Sequence, residues 1–284
     1  MTYDNHNFSY ARGGAPFFFR GGPIGCLVMH GLTGMPQEVR PLGDYLAGQG
    51  HTVYGVRLAG HGTDPSDLIH LHWQDWLASA MDGLTVLGDQ CEQVFVMGLS
   101  MGGLTAIHLA AARPEAVAGI VTMSTPVLPV ADDWRLNLVD LIAIFQPYQP
   151  KAPRSPEEAE RIPDHASYEV WTTRAIKQFV EYQRLTDEAL PHVACPALLI
   201  HSKGDDFIKP ANLDHIYNRI GSKEKEKVWL EKSGHIVTED LEREIVFERT
   251  TAFIRKHEAR VTVQPYRQRT TDLPNLTDRS AQFG

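Results

Sequence analysis

The stretch FVMGLSMGG, Phe95 to Gly103, passes from apolar residues of strand type, through a serine set between glycines, into the helical pattern LTAIHLAAAR, Leu104 to Arg113. A serine pinched at a strand-to-helix junction matches the elbow G-x-S-x-G, written here Gly98-Leu99-Ser100-Met101-Gly102. Such a turn forces the serine backbone into a strained conformation, so the residues two before and two after must be tiny for strand and helix to approach. The strain lifts Oγ above the sheet edge. It also sets the Met101 N–H and the helix N-terminus beside it, where an oxyanion developing on an attacked carbonyl would be stabilised.

Working outward, further short apolar runs read as buried strands: Ile24 to His30, Thr52 to Arg57, Gln93 to Gly98, Val117 to Ser124, Pro196 to Ser202 and Glu226 to Glu231. Helical patterns lie between them at Pro36 to Gln49, Trp73 to Leu87, Met101 to Arg113, Ala211 to Arg219 and Thr238 to Lys256. Strands separated by helices imply parallel pairing through right-handed crossovers, with both sheet faces covered. The fold class is therefore α/β, with a mostly parallel central sheet flanked by helices.

The alternation fails once, between Thr125 and Cys195. No strand-like run appears there: LNLVDLIAIF, Leu136 to Phe145, is amphipathic, Pro147 to Glu158 is proline-rich, and Ser167 to Leu190 is helical in period. A structureless loop of that length is improbable inside a compact domain. The expectation is a helical cap over 126–190, inserted after the sixth strand into one discontinuous core domain, 1–125 and 191–260. Residues 261–284 are polar and aperiodic and read as a loosely attached extension.

Serine is a poor nucleophile without a base, and the base must be oriented by an acid. The strand after the cap leads to IHSKGDD, which offers Asp205, and the next leads to EKSGHIVTED, which offers His235. Ser100, Asp205 and His235 follow the chain order Ser, Asp, His and fall on loops at the carboxyl edge of the sheet, where ligands bind in open α/β sheets. Asp206 is the rival acid, one residue further from the strand. His30 and His61, which precede the serine in glycine-rich loops, read as loop-shaping residues. His70 and His72 flank a helix start with no matched metal-ligand cluster. A second oxyanion donor is expected from the loop after the first strand, where Gly31 brings the backbone close and the Leu32 N–H joins that of Met101.

The 284 residues carry a formal net charge of −8, with 43% hydrophobic and 22% charged residues, which gives no electrostatic footprint for nucleic acid. Three widely spaced cysteines form neither a disulfide framework nor a zinc site and fit a reducing cytoplasm. No signal-peptide pattern and no run of 18 apolar residues is present, so stable membrane insertion is not expected. No metal or organic cofactor is needed for the chemistry above. Either a monomer or a homodimer is compatible with the sequence.

From about Pro23 to Lys256 the chain resembles the α/β-hydrolase superfamily of serine hydrolases, and within it the bacterial monoacylglycerol lipases and small bacterial carboxylesterases. The stretches that carry the likeness are VMHGLTG, RLAGHGTDPSDL, WQDW, MGLSMGG, ACPALLIHSKGDD and IYNRIGSKEKEKVWLEKSGHIVTED. The resemblance implies Ser100 as nucleophile, Asp205 as acid, His235 as base, the Leu32 and Met101 amides as oxyanion hole, and a short helical lid where the insertion falls. The family usually has an aromatic residue where Leu32 stands, which leaves the backbone donor intact and alters the acyl-pocket wall. The implied activity is hydrolysis of short- to medium-chain acyl esters, monoacylglycerols among them, through an acyl-enzyme. An acyltransferase, a proline-type aminopeptidase and a ligand-binding receptor with residual hydrolysis are the alternatives on the same fold. Gly31, His61, Leu141, Ile142 and Phe145 are candidate pocket residues. The last three lie with Leu138 on one apolar face of the cap, which either packs as core or lines an acyl tunnel.

Overall fold

The computed structural model describes residues 10–128 and 138–258. Seven strands make the central sheet: β1 (Phe17–Phe19), β2 (Ile24–Met29), β3 (Thr52–Val56), β4 (Gln93–Leu99), β5 (Gly119–Met123), β8 (Ala197–Ser202) and β9 (Lys225–Leu230). Their order is β1-β3-β2-β4-β5-β8-β9, with β1 antiparallel to β3 and every other pair parallel. Residues in β2, β5 and β8 are buried at every position, as are those in β4 after Gln93. That explains why these strands read as continuous apolar runs rather than alternating ones.

Two layers of core follow from the pleat. Leu27, Met29, Val96, Ile120 and Leu199 face one layer with Trp76, Ala80 and Leu84 of α2 (Trp73–Gly88) and Leu104 and Ile107 of α3 (Met101–Ala112). Cys26, Val28, Phe95, Met97, Val121 and Ile200 face the other. There they meet Leu42 and Leu46 of α1 (Arg40–Gly48) and Val246, Phe253 and Ile254 of α8 (Arg243–His257). α7 (Ala211–Arg219) joins β8 to β9 with the bounds the sequence pattern gives.

Four expectations need correction. The insertion leaves the sheet after its fifth strand in chain order, because β1 is the lone strand ahead of β2 among the described residues. The insertion also contains a small antiparallel pair, β6 (Tyr148–Pro150) with β7 (Val170–Thr172), beside the helices α4 (Val139–Phe145), α5 (Pro156–Arg161) and α6 (Thr173–Ala189). Three-residue strands are too short to show a period of two.

The last helix begins at Arg243 rather than Thr238. Side chains in the intervening stretch hold a loop instead: Asp240 accepts from Gly234 N–H, and Glu242 accepts from the N–H groups of Glu231, Lys232 and Ser233. Finally, α4 buries Val139 and Ala143, while Leu141 and Phe145 are 57% and 84% exposed. Val139 and Ala143 are one turn apart, and Asp140 pairs with Lys177 Nζ of α6 at 2.5 Å, so the helix is rotated with its bulky residues outward. Leu138 is also exposed, and Ile142 is half-buried. The apolar face therefore does not pack as core, and its bulkiest side chains stand open to solvent. The polar extension expected over 261–284 lies outside the described residues.

Candidate active site

Ser100 stands between β4 and α3 with φ of +54°, in the left-handed region that a residue with a side chain rarely occupies. Its N–H donates to Met123 O at 2.8 Å and its carbonyl accepts from Gly103 N at 2.9 Å, so the strained turn is fixed by β5 on one side and the helix on the other. A side chain at Gly98 would run into the backbone of Gly102, and one at Gly102 into the Met29 carbonyl. Both glycines of the motif are thus required by close backbone approach.

The loop after β2 reaches Ser100 at Gly31, where an added Cβ would stand 3.3 Å from Ser100 Cβ and 3.8 Å from its Oγ. Among the described residues, neither the Leu32 N–H nor the Met101 N–H has a hydrogen-bond acceptor. Two unpaired donors, on the loop that touches the serine and on the residue after it, are what an oxyanion site needs. The loop is held from below. Glu38 Oε2 accepts from Gly31 N–H at 2.9 Å, and the buried His30 ring bridges Gly31 O (Nδ1, 2.9 Å) and Leu58 N (Nε2, 3.2 Å). Burial pushes the His30 imidazole down to about 4, so it is neutral, with Nδ1 donating and Nε2 accepting.

Asp205 follows β8 and is buried, whereas Asp206 is exposed. Oδ1 of Asp205 accepts from the N–H groups of Phe207 (3.0 Å) and Ile208 (2.8 Å). Oδ2 lies 2.8 Å from His235 Nδ1. That bond puts the proton on Nδ1 and leaves the lone pair of a neutral ring on Nε2. Burial alone would raise the Asp205 carboxyl. Hydrogen bonds from His201 and His235, the His235 charge and the backbone donors outweigh it and hold the group far below the usual carboxylate range.

The His235 loop is tied to its surroundings at several points. Ser202 Oγ donates to Ser233 O, and Thr238 Oγ1 donates to Glu38 O. The first link joins the acid's strand to the base's loop; the second joins that loop to the segment under Gly31. The acid–base pair and the serine therefore share one edge of the sheet. Beside His235, the Phe207 ring packs edge-on at 5.1 Å, Trp171 of β7 stacks on Phe207 at 5.9 Å, and Lys151 Nζ lies 4.5 Å from the Trp171 ring centre.

A family model described as serine aminopeptidase, S33, matches residues 25–242, a span that holds the elbow, the Gly31 loop, Asp205 and His235. The chain belongs to this family. Its sheet and helices are those of the α/β-hydrolase fold. Proteins of similar sequence include the thermostable monoacylglycerol lipase of Bacillus sp. (strain H-257), 35% identical over 248 residues that cover 86% of this chain and 96% of the relative. A carboxylesterase of Bacillus subtilis (strain 168) is 29% identical over 243 residues, covering 85% and 96%. A solved structure from work on LipS and LipT, two metagenome-derived lipolytic enzymes, matches with a TM-score of 0.80 at 35% identity, covering 88% of this chain and all of its own.

The remaining candidates fall elsewhere. His61 is fully buried, with Nδ1 on Ala59 O at 2.9 Å and its ring stacked on Tyr168, so it underpins the Gly31 region rather than walling an open pocket. Leu141 and Phe145 face outward on α4. His72 precedes α2, and its N–H donates to Asp75 Oδ2 at 2.8 Å, a capping role. Among the described residues, no group of three or more His, Cys, Asp or Glu side chains is arranged to hold a metal ion. Sequence reading missed Glu38, His165 and His201. Each is an ordinary residue in its own segment and acquires meaning only from partners brought by the fold.

Proposed function

We propose that the protein is a serine carboxylic-ester hydrolase that acts on short- to medium-chain acyl esters, monoacylglycerols included, through an acyl-enzyme. The observation that carries this reading is the strained Ser100 elbow abutting Gly31, with the Asp205–His235 pair at 2.8 Å on the same sheet edge. The relatives named monoacylglycerol lipase and carboxylesterase support the substrate class.

His235 takes the Ser100 proton at Nε2, and Oγ attacks the ester carbonyl. The tetrahedral oxyanion accepts hydrogen bonds from the Leu32 and Met101 N–H groups. Asp205, with its negative charge secured by its donors, stabilises the imidazolium that forms. His235 then protonates the leaving alcohol, and a water activated by the same nitrogen releases the acid. The described residues 138–190 are the lid, and β7 brings Trp171 to the base's side of the site through Phe207. The three cysteines are free, which fits a cytoplasmic enzyme.

The test is a substrate panel of p-nitrophenyl esters from acetate to laurate, monoacylglycerols and aminoacyl-nitroanilides. Hydrolysis of the esters and monoacylglycerols with inert nitroanilides is the expected result. Turnover confined to nitroanilides would replace this reading with the aminopeptidase one, which draws its support from the family description.

A further inference from the structure

Glu38 is a buried carboxylate folded into the oxyanion loop. It accepts the Gly31 N–H, and a side chain at Gly34 would collide with its carboxyl group. The Cβ position of Gly31 lies 3.5 Å from Glu38 Oε2 and 3.8 Å from Ser100 Oγ, so only one residue separates the carboxylate from the nucleophile. A bare negative charge there would oppose the oxyanion that the reaction builds.

Compensation comes from the lid. His165 is half-buried between two carboxylates, with Nδ1 at 2.9 Å from Glu239 Oε2 and Nε2 at 3.8 Å from Glu38 Oε1. A carboxylate only accepts, so Nδ1 carries a proton for Glu239, and a second proton on Nε2 would face Glu38 at ion-pair rather than hydrogen-bond distance. The same segment is bonded to the oxyanion loop: Tyr168 N–H donates to Thr33 O at 2.8 Å, and Ser167 pairs with Gly34. The charged groups acting on His165 are Glu38, Glu239 and Arg154. Those acting on Glu38 are His165, Glu239 and Lys151.

We propose that Glu38 and His165 are positioning residues for the oxyanion hole, in which a lid-borne imidazolium neutralises Glu38 and keeps the Gly31–Thr33 backbone aimed at the oxyanion. The proposal rests on the ester-hydrolase reading and on Leu32 as donor. Burial works against the His165 charge, yet the Glu239 hydrogen bond and the charges of Glu38 and Glu239 prevail and hold its pKa raised. Burial raises Glu38 as well, against His165, the Gly31 N–H and Lys151. The ion pair is therefore complete above the raised Glu38 value and below the raised His165 value, and it is lost at the alkaline end as pH climbs through the latter, leaving the Glu38 and Glu239 charges without the imidazolium between them. An alkaline decline in kcat is the consequence.

The experiment compares the parent, His165→Gln and the double variant Glu38→Gln/His165→Gln across pH 5.5–10. It reads kcat and KM on a soluble p-nitrophenyl ester and the rate of Ser100 labelling by a fluorophosphonate. The single variant His165→Gln is expected to lose kcat on the order of tenfold at neutral pH, with KM little changed and no alkaline decline; outright loss of an oxyanion donor costs about 10²–10³. The double variant, with a neutral acceptor still facing the Gly31 N–H, recovers most of that loss. Labelled proteins with identical pH profiles in all three, or a double variant no better than the single, would overturn the proposal alone. A parent that is not labelled at Ser100 would overturn the ester-hydrolase reading and the proposal with it. Should the variants fail to fold, NMR titration of the His165 ring in the parent decides: protonation of both nitrogens at pH 7 supports the proposal, and a neutral ring there refutes it.

Discussion

His201 Nε2 lies 3.2 Å from Oδ2 of Asp205, the oxygen that also receives His235 Nδ1 at 2.8 Å. Two histidines thus share one carboxylate oxygen, while Phe207 and Ile208 occupy the other. Nε2 of His201 also faces Ile208 O at 3.2 Å, so this nitrogen is the donor. A carboxylate with four donors binds each of them less strongly than one with three. Replacing His201 by Leu should therefore make Asp205 a better partner for His235, favour the imidazolium, and move the acid limb of kcat/KM to higher pH. His201→Gln keeps an N–H donor and should lie nearer the parent. The pH–rate profiles of the three proteins check this, and an unmoved limb in His201→Leu would contradict it.

The same carboxylate links pH to stability. Its folded pKa is depressed, so the ionised form stabilises the protein above the unfolded value of about 3.9, and this contribution is lost as pH falls below that value. Denaturation midpoints taken from pH 7 down to 3 should fall less steeply in Asp205→Asn than in the parent. Asp205→Asn should also lose kcat by about 10⁴, since the wrong tautomer is then favoured at His235.

Strain at Ser100 predicts a trade of function against stability. Its φ of +54° is costly for any residue with a Cβ and nearly free for glycine. Ser100→Gly should be inactive yet more stable than Ser100→Ala by about 1 kcal/mol, measured by urea denaturation. Equal stabilities would mean that the elbow stores no strain.

Much of this was legible in the sequence because the elbow and the two loops after β8 and β9 are local features. A glycine two residues either side of a serine, or an aspartate just past an apolar run, shows without knowledge of the fold. The Gly31 loop was legible for the same reason. Glu38, His165 and His201 were not, because each depends on a partner far along the chain or on a shared contact with Asp205. Nothing in PQEV distinguishes a buried, ion-paired glutamate from a solvated one. The rotation of α4 was missed for a different cause: Leu138, Leu141, Ile142 and Phe145 make the more apolar stripe, but Val139 and Ala143 allow the closer approach, and the Asp140–Lys177 pair fixes the turn. Periodicity located the helix without orienting it.

The exposure of that stripe gives a prediction about the lid. Phe145→Ser should change stability by less than about 0.5 kcal/mol and leave the relative kcat/KM for acetate, butyrate and laurate esters unaltered. Ala143→Leu, which forces bulk between α4 and its support, should destabilise by about 1–3 kcal/mol. Thermal melts and the ester series together check both, and a chain-length shift in Phe145→Ser would return that residue to the acyl pocket.

Whether Ser100 is the acylated nucleophile of an ester hydrolase is tested most directly by mass spectrometry. Intact protein and peptides are measured after fluorophosphonate treatment and followed against residual hydrolysis of p-nitrophenyl butyrate. The expected result is one label per chain, on the peptide containing Ser100, accumulating in step with the loss of activity, and no label or turnover in Ser100→Ala. A label on another residue, or a Ser100→Ala variant that still turns over the ester at a substantial fraction of the parental rate, would contradict it.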